Sequence, residues 1–453
     1  MNKANVVICG AGIAGISAAY FLAVREGIRD ILLVDERDPL SLTSDKSTEC
    51  YRNWWPGPGS AMVALMNRSI DLLEELAAES RNTFHLNRRG YLYMTADPDQ
   101  AIKISRDAQT PPKLGAGELR IHEKHDHSYL PSPLEGYLNL PDGADLFLNP
   151  RLIRKHFPYL SETVIAALHV RRAGWFSAQQ MGMYLLDQAR LAGVKRIQAR
   201  VSQVQVQSGR VKSVLLDNGE SIQTRSYVNA GGPFLKPVGR MLGVDLPVYS
   251  ELHLKAAFKD TLAAVPRQAP LLIWTDPQVL EWSDEERELL AEIPEFHYLL
   301  EQMPSGAHTR PEGAADADIA IMLWEYHTEV IEPVFPPPMD DQYPEIALRG
   351  LAPMLPGLRK YFGRMPRPRV DGGYYTRTQE NRPLIGPLPV EGAYVIGALS
   401  GFGLMVACGA GELLAAHLAG KPLPEYAPAF SLQRYQDPDY LRLLENWGDT
   451  GQL

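Results

Sequence analysis

Gly10, Gly12 and Gly15 stand at the spacing G-x-G-x-x-G, in the run Gly10-Ala11-Gly12-Ile13-Ala14-Gly15. That spacing suits a ligand carrying a pyrophosphate. The first glycine permits a tight turn, the second lets backbone approach the phosphates with no Cβ between them, and the third lets the next helix pack closely. The N–H groups at that helix's N-terminus favour negative charge. An acid about 20 residues further on accepts hydrogen bonds from a ribose. Asp35 fits that role best, with Glu36 as the alternate.

A second chemistry-bearing stretch runs from Leu42 to Arg52. It carries Ser44, Ser47, Thr48 and one guanidinium, Arg52. Hydroxyls and an arginine in a loop at the carboxyl end of a sheet suit a cofactor or an anion, or form a solvated connection. Trp54 and Trp55 follow, as a pocket wall or as core packing. His122, His125 and His127 resemble metal ligands by composition. No carboxylate or cysteine stands at ligand spacing, so a surface loop cluster is expected and no metal site.

These residues require elements to hold them. Val6 to Ile8 is a short apolar run suited to a buried parallel strand, and Ile31 to Val34 is a second, with a helix between. The apolar spacing predicts further helices over 62–80, 145–157, 178–192 and 404–418. Residues 106–145 read as loop and short helix. Residues 193–229 read as strands in an antiparallel meander, ending in a second glycine turn at Ala230-Gly231. Residues 266–318 read as an inserted, partly helical region, and 319–326 as a strand. A third glycine turn, Gly401-Phe402-Gly403-Leu404-Met405, opens the last long helix.

The chain has 453 residues, three cysteines and a net charge of −9. Its length suits two or three domains, and its charge disfavours nucleic acid as a partner. Three cysteines with no C-x-x-C argue against a disulfide framework. Residues 6–24 imitate a leader, but removing them would remove the glycine turn, so the expected location is cytoplasmic. No other run reads as a membrane span.

Taken in order, four segments resemble the FAD-dependent oxidoreductases of the D-amino-acid oxidase, sarcosine oxidase and glycine oxidase type. They are the glycine turn, Val-Asn-Ala-Gly-Gly-Pro-Phe at 228–234, Arg-Pro-Leu-Ile-Gly-Pro at 382–387 and Gly-Phe-Gly-Leu at 401–404. The C-terminal part is also similar to a mitochondrial complex I assembly oxidoreductase. The resemblance implies an α/β fold: a Rossmann-like FAD-binding domain in discontinuous segments (1–88, 173–245, 367–430) and a mixed-sheet α+β substrate domain (89–172, 246–366). Residues 431–453 form a tail. It implies FAD contacts from Gly10 to Gly15, Asp35, Ser44, Ser47, Thr48, the backbone of Val201, Ala230, Gly231 and Gly401 to Met405. Gly373 stands where sarcosine oxidases attach flavin through cysteine, which excludes that linkage. The family's oxygen-activating lysine finds no counterpart in 322–327, which favours a dehydrogenase. Only one dinucleotide motif is present, so no NAD(P) is expected.

The implied reaction is oxidation of an amine or amino acid to an imine, N-methyl or secondary amines favoured. Flavin N5 takes the hydride, and the electron acceptor stays open. Arg52 is the candidate partner for a substrate carboxylate, or else a flavin or backbone contact. Tyr374 or Tyr375 is the candidate hydrogen-bond donor. His327 is a candidate proton acceptor or a sheet residue. Rival readings are a 2-hydroxy-acid dehydrogenase, which needs such a base, and a flavoprotein assembly factor for a respiratory complex.

Overall fold

A computed structural model describes residues 3–313, 316–326 and 329–448. Its first sheet is built around the strand Lys3–Cys9, which pairs in parallel with Ile31–Asp35 on one side and Ser221–Asn229 on the other. Lys195–Gln198 and Ala393–Gly397 extend the parallel set outward. Val7 and Ile8 are fully buried, as an apolar run covered on both faces must be. The meander Val201–Gln207, Arg210–Leu216 and Ser221–Asn229 flanks this core. Helices Ile13–Tyr20, Ala61–Glu79 and Gly403–Ala419 pack on one another beside it.

The second sheet has nine strands, and Tyr249–Lys259 and Arg369–Arg377 pair along one edge of it. Arg369–Arg377 therefore belongs here, although the sequence placed 367–430 with the cofactor segments. Leu271–Trp274 and His308–Glu312 are inner strands of the same sheet. The added material within 266–318 thus reduces to the helical excursion between them. Its apolar strands are short and bounded by Pro and Gly, which hid them.

Three further expectations are corrected. Residues 106–145 contain the strand Leu119–His122, and the predicted helix over 145–157 begins instead at Pro150, after the strand Ala144–Phe147. His122 is buried on that first strand, bonded through Nε2 to Asp145 at 2.9 Å, while His125 and His127 are in the loop beyond it. Ser400–Ala419 is long and apolar enough to cross a membrane by composition (mean hydropathy 1.5), yet about two thirds of it is buried against the other helices. A core helix of a large domain passes the same test as a span.

Candidate active site

The glycine turn closes over a long cavity of about 390 Å³ at the carboxyl ends of the parallel strands. Gly10 has φ +113°, and a Cβ there would run into the Ala230 carbonyl oxygen. A Cβ on Gly15 would run into the Gly10 carbonyl oxygen. Both glycines therefore serve close packing. Gly12 differs: a Cβ there meets only Ser44 Oγ, at 3.3 Å, and Gly12 borders the cavity. That is the cradle a pyrophosphate requires.

Asp35 does more than line the ribose end. Its Oδ2 accepts the Ala11 N–H at 2.7 Å and its Oδ1 the Arg37 N–H at 2.9 Å, so it also fixes the turn. Glu36 is exposed but borders the same cavity. Ser44 Oγ accepts the Ile13 N–H at 3.0 Å, satisfying one free donor of the helix N-terminus. Ile13, Ala14, Ser47, Val201, Ala230 and Gly231 line the cavity too, as do Gly401, Gly403 and Leu404. A turn of N–H donors, an acid at the second strand's end and an apolar far end fit FAD.

Beyond Gly401 and Tyr375, which border both spaces, lies a chamber of about 40 Å³. Thr48 and Met405 belong to this chamber and not to the long cavity. So does Arg52, on the strand Cys50–Arg52. Its Nε donates to the Trp54 carbonyl at 3.1 Å, and its guanidinium lies 4.7 Å from the Trp55 ring centre and 5.7 Å from that of Tyr91. The backbone contact and a cavity-facing guanidinium thus coexist. Trp55 walls the chamber, while Trp54 packs in the core.

The tyrosine pair separates. Tyr374 is not available to a substrate: its hydroxyl donates to the Val334 carbonyl at 2.9 Å and accepts the Val334 N–H at 3.1 Å. Alternation along the strand turns Tyr375 the other way, toward the chamber, where it stacks on His253 at 3.8 Å. His253 lies 3.3 Å from Glu325 and 3.4 Å from Glu251. Burial opposes charge on His253, but these two carboxylates outweigh it and raise its pKa above the ordinary 6.5. His327 lies outside the described residues. His308 and Glu325 also line the chamber, and neither had an assigned role in the sequence. His308 stood alone in a stretch read as an insertion, and nothing local marks it.

A lysine does reach the cofactor loop, from a strand other than the one leading into 322–327. Lys255, on Tyr249–Lys259, donates to the Ser47 carbonyl at 3.0 Å. A Cβ on Gly373 would lie 3.1 Å from Lys46 Cβ and from Thr43 Cα, so the loop packs where a cysteine would have to stand.

Comparison with known proteins agrees with this geometry. Residues 5–417 match the family described as DAO, FAD dependent oxidoreductase. The chain belongs to that family. Mitochondrial dimethylglycine dehydrogenase of Rattus norvegicus is 25% identical over 275 residues, which are 60% of this chain. The match spans only 28% of that relative's length. Among solved structures, L-proline dehydrogenase from P. horikoshii superposes with a TM-score of 0.73 at 20% identity, covering 96% of this chain and 98% of the other. Glycine oxidase from Geobacillus kaustophilus gives 0.72 at 17% identity, with 96% and 99% covered. These two likenesses show the fold. As a member of the family, this chain is an FAD-dependent oxidoreductase.

Proposed function

We propose that this oxidoreductase oxidises the C–N bond of a small amine or amino acid to an imine, with N-methyl or secondary amines favoured. The observation that carries the reading is the chamber itself. It adjoins the cofactor cavity through Gly401 and Tyr375 and is lined by both apolar walls and Arg52. The substrates named for the relatives, dimethylglycine, L-proline and glycine, support the same class.

FAD, when bound, supplies a two-electron acceptor at flavin N5. The chain's own residues do the rest. Arg52 offers a planar donor set for a carboxylate. Trp55, Phe402 and Leu271 exclude water from the chamber, which disfavours the ammonium form of a bound amine. His253, whose pKa Glu325 and Glu251 raise, lies 3.3 Å from Glu325 and partners that carboxylate. Tyr375, stacked on His253, forms a wall between the two spaces.

The test is anaerobic titration of the purified flavoprotein with N-methyl amino acids, proline, simple amino acids and 2-hydroxy acids. Loss of the band at about 450 nm, set by the cofactor, is expected with the amines. Bleaching by 2-hydroxy acids alone would move the assignment to hydroxy-acid oxidation. A yellow protein that nothing bleaches would point to an assembly role. Admitting air then separates an oxidase from a dehydrogenase by the rate at which colour returns.

A further inference from the structure

We propose that His308 is the acceptor for the substrate's N–H, and that it selects primary and secondary amines over tertiary ones. This rests on the amine reading above.

His308 opens the inner strand His308–Glu312, paired to Ile273 on one side and Leu323 on the other. Its Nδ1 lies 2.8 Å from the Gly306 carbonyl oxygen. A carbonyl only accepts, so the ring proton is on Nδ1 and Nε2 presents a lone pair. The side chain is 3% exposed and borders the chamber. Nε2 has no hydrogen-bond partner among the described residues. His308 is thus an acceptor-bearing residue in the wall of a small chamber that mixes apolar side chains with Arg52 and Glu325.

Burial lowers the pKa of His308 below its ordinary 6.5, so the ring is neutral at neutral pH. The charged groups acting on it are Glu325, His253 and Arg52. The residues paired with it, Ile273 and Leu323, carry no charge.

A neutral secondary amine has one N–H and one lone pair. Donating that N–H to Nε2 fixes the nitrogen and leaves its lone pair free to push on the breaking C–H bond. A neutral tertiary amine has no N–H. It would press a methyl group against Nε2 and leave a buried acceptor unsatisfied, which is costly. A site built to hydrogen-bond a substrate group discriminates strongly against the analogue lacking it.

The experiment compares anaerobic reduction rates for two probe pairs: N-methylglycine against N,N-dimethylglycine, and proline against N-methylproline. The wild type is expected to favour the N–H partner by about tenfold to a hundredfold. Three variants separate the roles of the ring. His308→Asn keeps a donor for Gly306 but no group at the ε position, so its ratio should fall to about one. His308→Gln reaches the ε position and should restore part of the preference. His308→Leu should behave as the Asn variant. FAD content and the visible spectrum report folding in each case. A wild-type ratio near one, or a ratio kept in His308→Asn, would overturn the proposal while leaving the amine reading intact. A wild type that neither pair reduces would overturn both.

Discussion

At the scale of single residues, the three glycines of the first turn differ in what a side chain would meet. Gly10 and Gly15 face backbone, whereas Gly12 faces Ser44 Oγ and the cofactor cavity. Substituting alanine at Gly10 or Gly15 should therefore lose folded protein. Gly12→Ala should fold with near-normal thermal stability but bind FAD about tenfold or more weakly, at least about 1.4 kcal/mol. Titrating apoprotein with FAD and melting the same samples checks both halves. Equal loss of stability in all three variants would refute the assignment of Gly12 to the ligand.

At the scale of elements, the helix Gly403–Ala419 is held by small residues at its crossings. Ser17 Oγ donates to the Ala407 carbonyl at 2.7 Å, which brings the two helices together beneath the glycine turn. A Cβ on Gly411 would run into Ser17 Oγ and lie 2.9 Å from Phe21 Cδ2. Overpacking of this kind costs about 1–3 kcal/mol. Gly411→Ala should lower the denaturation midpoint accordingly. It should also weaken FAD binding, because the helix it displaces carries the turn at the cofactor. A variant with unchanged midpoint would show that this crossing relaxes freely.

At the scale of the whole molecule, the C-terminal segment is fastened to the core by one buried carboxylate. Glu380 Oε1 accepts from Arg434 at 2.8 and 3.0 Å and from the hydroxyls of Tyr435 and Tyr440 at 2.8 Å each. Both charged side chains are essentially unexposed. Removing one partner of such a pair strands the other, at a cost of about 3–5 kcal/mol. Arg434→Ala should destabilise the holoprotein by that much in chemical denaturation. The double variant Glu380→Gln with Arg434→Met should lose less. Burial raises the Glu380 pKa, but Arg434 outweighs it and holds the carboxyl below its ordinary 4.5. This contribution is thus fully present above about pH 4.5 and lost as pH falls through the lower folded value. The stability gap between wild type and Arg434→Ala should shrink over that acidic window.

The sequence by itself determined the cofactor half of this protein. The strand, glycine turn, helix and acid lie close together in the chain, and each does its work through backbone geometry that residue type alone fixes. Gly10, Gly12, Asp35 and Ser44 were legible for that reason. The substrate half was decided by tertiary structure. Arg52, the neighbouring-strand pair His308 and Glu325, and Met405 come from three distant segments and meet only when the second sheet folds over the first. The tyrosine pair shows the same division. Their spacing says that Tyr374 and Tyr375 face opposite ways, but only the packing of Val334 shows which hydroxyl is already taken. Local pattern records backbone conformation. The convergence of side chains from distant strands depends on sheet order and register, which no short stretch of sequence carries.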